Sequence, residues 1–359
     1  MLTTLSNSLG CIEVLEPVDA GRLQLFGLRW ANPAPLEYVT LDEALETGCF
    51  EVTEVSEGGC VPALMAWNKL DRRVLVMAGE QLVGAKQNRV LNVSILIEAQ
   101  TQLEVPVSCV EAGRWGYRSK QFHSTGSASH GHLRAMMSRQ VSGAYRATGT
   151  PSSDQSEVWR EVGRKLSAMG TESPSRELET VYENYSDQLD KVISSAKLPV
   201  DCCGVVFAFG GRVAGADMFD KPCTLSQLLP KLVRTYAVDA MEYPETQTTV
   251  SREDVEAWLR ETREASFERF DSPGLGNDVR IEGRHAVGAS LVVEDQPVHV
   301  ELFPESNEAW PDKPPMDERE RRATRAEGPG PEEMPSSQPV VWSEPVKRAG
   351  WWRRFWRGG

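Results

Sequence analysis

Leu91-Asn-Val-Ser-Ile-Leu-Ile97 and Leu103-Glu-Val-Pro-Val-Ser-Cys109 are the two stretches that decide the fold. In both, every second residue is apolar, which is the period of a β-strand with one buried face. The residues Glu98–Thr101 between them have the right length for a hairpin loop. We therefore predict an antiparallel hairpin. Because Pro106 has no N–H to donate to a ladder, its strand is predicted to be an edge strand or to carry a bulge.

Polar segments flank this hairpin on both sides. Gly79–Arg89 precedes the first strand, and Glu111–Arg118 follows the second. Both segments lie about ten residues from the middle of the turn, so antiparallel pairing brings them to the same open end. The side chains expected there are Glu80, Lys86, Gln87, Asn88, Arg89, Glu111, Arg114, Trp115 and Arg118.

These side chains suit an anionic ligand with a flat or hydroxylated part, such as a nucleotide or a sugar phosphate. Arginine and lysine hold phosphate, amides and carboxylates bond to ribose hydroxyls, and an indole ring stacks on a flat ring. Glu80 and Glu111 are the candidates for acid–base catalysis. The predicted ligand-binding residues are Lys86, Gln87, Asn88, Arg89, Arg114, Trp115 and Arg118. The alternative is a solvated surface whose opposite charges pair with each other.

Composition and charge restrict the class of protein. The chain has 359 residues, of which 40% are hydrophobic, so it can fill a core. Its net charge of −13 argues against a general nucleic-acid binder. No stretch approaches the roughly 18 unbroken apolar residues of a membrane span, and the first residues lack the pattern of a secretory signal. Seven scattered cysteines without C-x-x-C spacing are typical of a reduced protein, so we expect a cytoplasmic location.

The order of these patterns predicts an α+β protein. Residues 12–145 indicate a mainly antiparallel β-sheet region, and residues 146–303 indicate a mixed helix and strand region packed on it. Residues 304–359 are rich in proline and acidic side chains and are predicted to be a disordered tail. Residues 119–153 are rich in serine, glycine and histidine, which favours a long mobile loop with at most one helical piece.

Three further sets of residues have a chemical and a structural interpretation. Asp217-Met-Phe-Asp220 has carboxylates that would hold Mg²⁺ with a diphosphate, or would cap the next turn. His123, His130 and His132 have the spacing of a transition-metal site, but no second cluster of ligands is evident, so no metal is predicted. Cys109 is a nucleophile or a core cysteine, and its place in the apolar alternation favours the core.

The end of the chain combines aromatic and basic side chains. Trp351, Trp352, Phe355 and Trp356 are interleaved with arginines. This pattern is typical of a segment that docks on an anionic membrane surface or in a partner's groove. The final Gly358-Gly359 is similar to the ending of ubiquitin-like modifiers, although no such domain is predicted before it.

Four longer motifs resemble a known family. They are GEQLVGAKQNRVLN at Gly79–Asn92, VPVSCVEAGRW at Val105–Trp115, GGRVAGADMFDKP at Gly210–Pro222 and LLPKLVRTYAVDA at Leu228–Ala240. From about residue 12 to residue 303 the chain resembles the ARPP family domain, which is named for its association with ADP-ribosylglycohydrolases and rhodanese-phosphatases. The resemblance implies a link to the processing of NAD-derived or ADP-ribosylated molecules, and it carries over no catalytic residues.

Two functions are compatible with these patterns. The first is an enzyme that acts on an ADP-ribose-like, NAD-derived or other nucleotide or sugar-phosphate ligand, with the hairpin-end residues as its pocket. The second is a non-catalytic ligand-binding or adaptor protein that docks to a partner or membrane through its Trp/Arg tail. A deep pocket with a carboxylate beside the cations would favour the enzyme, and an open surface would favour the binding protein. The sequence identifies no cofactor.

Overall fold

The structure is a computed structural model, which describes residues 9–30, 35–244 and 248–305. Its strands are β1 Glu13–Ala20, β2 Leu23–Arg29, β3 Tyr38–Thr40, β4 Phe50–Glu54, β5 Ala63–Asn68, β6 Arg73–Val76, β7 Glu80–Gly84, β8 Arg89–Leu91, β9 Ile95–Ile97, β10 Thr101–Cys109, β11 Phe122–Ala128, β12 Gly204–Phe209, β13 Arg212–Phe219, β14 Ser266–Asp271, β15 Asn277–Glu282, β16 Ala286–Val293 and β17 Gln296–Pro304. Its helices are α1 Leu41–Glu46, α2 Gly131–Thr148, α3 Gln155–Ala168, α4 Glu179–Asn184, α5 Ser186–Ser195, α6 Pro222–Ala240 and α7 Arg252–Thr262. The predicted α+β class is confirmed.

Two predictions concern the ends of the chain and the membrane. The basic-aromatic residues Trp351, Trp352, Phe355 and Trp356 and the final Gly358-Gly359 lie outside the described residues. Among the helices that the structure describes, none combines the length and the apolar character that crossing a bilayer requires.

The largest sheet joins the early and late parts of the chain. Its eight antiparallel strands follow the order β1-β2-β12-β13-β17-β16-β15-β14. β2 pairs with β12, with Leu28 opposite Gly204. Strands from both predicted regions, 12–145 and 146–303, therefore share one hydrogen-bonded sheet.

Both faces of this sheet are apolar. Phe207 of β12 belongs to one core cluster and its neighbour Val206 belongs to another, as the two-residue alternation of a strand requires. α6 covers the first face, where Tyr236 stacks on Phe207 with ring centroids 4.2 Å apart. α7 covers the second face through Val255 and Trp258. Full burial of a phenylalanine or valine side chain stabilises a fold by about 1.5–3 kcal/mol.

Two smaller sheets are built from strands between β3 and β11. One has six strands in the order β11-β7-β8-β10-β5-β4, and the other has three in the order β3-β6-β9. Only β3 and β6 are parallel among the strand pairs that the structure describes. Helix α1 begins at a capping box in which the Glu43 carboxylate accepts the Thr40 backbone N–H at 2.8 Å.

The predicted hairpin is correct for only part of its first strand. β8 and β10 pair antiparallel, with Leu91 opposite Val107. Ile95–Ile97 instead leaves β10 and pairs with β6 in the three-stranded sheet. All three residues of β9 are buried, so this strand has neighbours on both faces. Apolar alternation shows that a strand has a buried face, but it does not show which strand lies beside it.

The prediction of an edge strand or a bulge at Pro106 is wrong. β10 lies between β8 and β5, and its register with each of them is continuous. Pairing with β5 ends at Pro106 and pairing with β8 begins at Val107. The proline therefore stands where the strand changes partner, and its carbonyl accepts the backbone N–H of Asn92 at 3.1 Å.

The segment predicted as a mobile loop, 119–153, is mostly regular structure. It contains strand β11 and the 18-residue helix α2. Leu133, Met137, Val141 and Tyr145 follow one another at intervals of four residues and are all buried. This apolar stripe packs on the neighbouring strands, and tertiary burial outweighs the low helix propensity of the serines and glycines between.

Candidate functional site

The structure places the two polar segments beside each other, as the hairpin argument predicted. The backbone N–H of Gly116 donates to the carbonyl of Lys86 at 3.3 Å. The Arg114 guanidinium donates to the carbonyl of Ala85, next to Lys86, at 2.6 Å. Lys86 and Arg114 are therefore neighbours at the open end of the β8–β10 pair.

Arg114 is held by protein groups on all sides. Its Nε and Nη2 donate to the two oxygens of Glu111, at 2.8 Å and 2.5 Å. Its Nη1 also donates to the carbonyl of Gly116 at 2.7 Å. The Glu111 carboxylate is fully buried and accepts the Asn88 backbone N–H at 3.0 Å. Arg114 therefore ties the two segments together, and a phosphate would have to displace these contacts to reach it.

Four of the predicted ligand-binding residues are buried. They are Lys86, Gln87, Asn88 and Arg89. The Asn88 amide donates to Glu177 at 2.9 Å. The Arg89 guanidinium lies 3.7 Å from a carboxylate oxygen of Glu54, a residue that the sequence did not point to. These side chains support the site from below.

The outer part of the site is built around the ammonium group of Lys86, whose side chain is buried beside two aromatic rings. The Lys86 ammonium lies 5.4 Å from the ring centroid of Trp115 and 5.1 Å from that of Tyr117. It also donates to the carbonyl of Gly58 at 2.7 Å. Arg118 is exposed beside them and pairs with Glu177 at 2.9 Å. We call this group of residues, Lys86, Trp115, Tyr117, Arg118 and the loop Gly58-Gly59, the hairpin-end surface.

The loop Gly58-Gly59 belongs to this surface because Gly59 lacks a side chain. Its φ is +78°, and a Cβ atom there would lie 3.0 Å from Lys86 Cδ and 3.1 Å from Trp115 Cζ2. Only glycine combines this conformation with so close an approach. The adjacent glycines are a signal that could have marked this loop, but nothing in the sequence links them to Trp115.

Glu80 belongs to a different group of residues. It lies at the first residue of β7, whereas Arg114 contacts the other end of that strand at Gly84, about 13 Å away at strand spacing. The buried Glu80 carboxylate pairs with Lys231 and accepts the Met77 N–H. Burial raises its pKa, and the Lys231 ammonium opposes that rise. Of the two candidate carboxylates, only Glu111 lies at the hairpin end.

A second polar group lies between β13, β17 and helix α2, and of its residues only Asp217 was a candidate from the sequence. Ser94 Oγ lies 2.7 Å from His299 Nδ1, and His299 Nε2 lies 3.2 Å from Asp217. Arg134 from α2 pairs with Asp217 and Glu301. Burial opposes ionisation of Asp217, but the charge of Arg134 and the hydrogen bond from His299 outweigh it and lower the pKa of Asp217 to about 2.

The hydrogen bonds of this buried group follow the order serine, histidine, aspartate, as in a catalytic triad. The group has no room for a substrate. Ser94 Oγ already accepts the Ala78 N–H at 2.8 Å. The cavity beside it, lined by Ser94, Arg280, His299 and Glu301 among others, has space for about one water molecule. Its residues come from distant segments, so no local motif marked them. The arrangement holds α2 onto the sheet.

The other candidates from the sequence have structural partners. Asp217 faces Arg134, whereas Asp220 accepts the Leu36 N–H at 2.9 Å. Asp217 and Asp220 therefore bind different partners. Cys109 is fully buried, and burial raises the pKa of its thiol to about 11, which disfavours the thiolate that a nucleophile needs.

Comparison with known proteins gives one match. The family model described as ARG and Rhodanese-Phosphatase-superfamily-associated Protein domain, ARPP-1, matches residues 11–303. That range includes every described element from β1 to β16 and nearly all of β17. No curated protein and no solved structure matches the chain.

Proposed function

The chain belongs to the ARG and Rhodanese-Phosphatase-superfamily-associated Protein domain family, and from that premise we propose that it recognises a nucleotide-derived anion of the ADP-ribose or NAD type as an enzyme substrate. The single observation that carries the proposal is the position of the Lys86 ammonium between the Trp115 and Tyr117 rings. Cations and aromatic faces on one surface are the chemistry that binds a phosphate joined to a flat base.

In this proposal each side chain of the hairpin-end surface has a part. The Trp115 or Tyr117 ring stacks on the base, and Lys86 leaves its ring contacts to neutralise a phosphate. Arg118, whose side chain is 47% exposed, swings from Glu177 to a second phosphate. The net charge of the chain is −13, so the chain as a whole repels an anion, and binding at this surface depends on the local charges of Lys86 and Arg118.

The buried residues act by fixing this surface. Arg114 and Glu111 join the two segments, and Arg89 lies 5.7 Å from the Trp115 ring on its inner side. Asn88 ties the same segment to Glu177. In the proposal these residues pre-organise the surface, which lowers the entropic cost of binding.

A non-catalytic binding protein is the second candidate, and one observation favours it. Glu111 accepts hydrogen bonds from Arg114 and from the Asn88 backbone, and Arg118 lies 3.8 Å away. A carboxylate whose oxygens already accept these hydrogen bonds would have to give one of them up to reach a substrate proton. The enzyme proposal requires that ligand binding releases Glu111 or brings another group to the bound molecule.

Calorimetric titration with ADP-ribose, NAD, AMP and inorganic phosphate tests the recognition step. We expect ADP-ribose or NAD to bind the wild-type protein, and Lys86→Ala to weaken that binding about tenfold or more, which corresponds to about 1.4 kcal/mol. Lys69→Ala is the matched control, because Lys69 lies 4.2 Å from the ring of Trp67 on an exposed surface of the same sheet. Binding of none of these ligands, or an equal loss in both variants, would contradict the proposal.

Product analysis separates the two candidates once a ligand is found. Incubation with the bound nucleotide, followed by chromatography and ³¹P NMR, would reveal cleavage of a glycosidic or phosphoester bond. Turnover that is lost in Lys86→Ala and kept in Lys69→Ala supports the enzyme. Tight binding with an unchanged nucleotide supports the non-catalytic protein.

A further inference from the structure

Two of the histidines from the serine-rich segment meet a carboxylate from another helix. His130 directly precedes α2 in extended conformation, and His132 lies in the first turn of that helix. Glu161 lies on the neighbouring helix α3. His130 Nε2 and His132 Nδ1 are each 3.0 Å from the same oxygen, Oε1 of Glu161. We call these three residues the His–Glu group. His123 lies apart from them and is exposed on β11.

The side chains of the His–Glu group are close enough to converge on one ion. The three ligand atoms lie within 4.8 Å of one another. Two atoms that bind Zn²⁺ at about 2.1 Å in tetrahedral geometry are about 3.4 Å apart. An ion would therefore replace the 3.0 Å contacts that Glu161 Oε1 makes with the two histidine nitrogens, after small movements of the side chains.

The surroundings of the group have an excess of negative charge. Asp239 accepts the His132 backbone N–H at 3.0 Å and pairs with Lys165. Arg164 pairs with both Glu161 and Glu242. With neutral imidazoles, three carboxylates face two cations, so the cluster carries a formal charge of −1. A buried cluster with this balance favours an additional cation.

One buried nitrogen of the group has no acceptor or donor within the described chain. His130 is fully buried, and its Nδ1 has no hydrogen-bond partner among the residues that the structure describes. A buried polar atom left in this way costs about 1–3 kcal/mol. This atom is not the one that faces Glu161, so Nε2 is the nitrogen that the His130 ring offers to an ion.

We propose that His130, His132 and Glu161 bind a divalent transition-metal ion through two imidazole nitrogens and one carboxylate oxygen. Imidazole and carboxylate together suit Zn²⁺, Fe²⁺, Co²⁺ and Ni²⁺, and three protein ligands leave coordination positions open for water or a substrate oxygen. The His132 side chain is 14% exposed, which gives the ion a route from solvent. This site involves none of the residues of the hairpin-end surface, so it stands independently of the proposed function.

Titration of the full chain with Zn²⁺ and with Co²⁺ tests the site. We expect one ion per chain, and we expect His132→Ala and Glu161→Gln each to weaken binding at least about 100-fold. His123→Ala removes an exposed histidine seven residues from His130 and serves as the matched control, with unchanged affinity. Circular dichroism of each variant checks that it is folded.

X-ray absorption of the zinc-loaded wild-type protein gives a readout that needs no variant. Two imidazoles in a shell of nitrogen and oxygen ligands would support the assignment. Sulfur ligands would overturn it, because they would place the ion on the exposed cysteines Cys11, Cys49 or Cys223. Absence of saturable binding in the wild-type protein, or unchanged binding in His132→Ala and Glu161→Gln, would identify the cluster as ion pairs alone.

Discussion

Arg114 donates two hydrogen bonds to the carboxylate of Glu111, and this carboxylate is fully buried. The two residues are three positions apart on the segment after β10, and the same guanidinium reaches back to the carbonyls of Gly84 and Ala85 after β7. A planar guanidinium donates in several directions at once, so one side chain joins both segments. The hydrogen bonds of Arg114 therefore hold the polar end of the hairpin together.

Removing Arg114 should destabilise the protein far more than removing Arg118. Arg114→Ala leaves the buried Glu111 charge without its close partner, and we expect the free energy of unfolding to fall by about 3–5 kcal/mol. Arg118→Ala removes a 47% exposed partner of the same carboxylate and should cost about 1 kcal/mol or less. Urea unfolding of both variants measures the difference. Similar losses would show that Glu111 does not depend on its buried partner.

Gly59→Ala should disturb the hairpin-end surface, whereas Gly48→Ala should not. Both glycines have positive φ, +78° and +68°, so alanine is strained at each by about 1 kcal/mol or more. At Gly48 nothing lies within 4 Å of the added Cβ, but at Gly59 it meets Lys86 and Trp115. We expect a change in tryptophan fluorescence and weaker nucleotide binding for Gly59→Ala only. Equal fluorescence changes in the two variants would contradict this reading of the loop.

Arg134 and Arg146 lie on the same helix and each pairs with two carboxylates, yet their contributions should differ. Arg134 is buried against Asp217 and Glu301, and Arg134→Ala should lower the free energy of unfolding by about 3–5 kcal/mol. Arg146, whose side chain is 40% exposed, should contribute about 1 kcal/mol or less. Thermal and urea unfolding compare the two. A loss of less than 1 kcal/mol in Arg134→Ala would mean that water reaches the buried carboxylates.

Glu179 should make the protein less stable as the pH rises from about 4.5 to about 7. Burial raises the pKa of this carboxyl to about 7, against the hydrogen bond from Ser127. Between its ordinary pKa of about 4.5 and pH 7 the folded state keeps a proton that the unfolded state releases, so stability is full at low pH and declines across this interval. Glu179→Gln should remove the decline and stabilise the protein above pH 7 by up to about 3 kcal/mol.

The control for this pH dependence lies on the same short helix. Glu183 is exposed, so Glu183→Gln should leave the curve of stability against pH as it is in the wild-type protein. Urea midpoints measured from pH 5 to pH 8 give both curves. If stability declines with pH in Glu179→Gln as it does in the wild-type protein, a group other than Glu179 causes the decline.

Part of the candidate site followed from sequence alone. The antiparallel course of β8 and β10 was enough to predict that Lys86 and Arg114 are neighbours, because that relationship depends only on strand period and loop length. The exposure of each side chain was not predictable in the same way. Arg89 and Trp115 looked alike as ligand contacts, yet one is buried beneath the other.

The sequence by itself determined the α+β class, the polar hairpin end and the family to which the chain belongs. Strand period, helix caps and motif order are local properties, set by residues a few positions apart. Only the tertiary structure decided that β9 joins β6, that Glu80 pairs with Lys231, and that Glu161 meets the two histidines at the start of α2. These contacts join residues far apart in the chain, and they depend on which apolar faces pack together, a choice that no local pattern encodes.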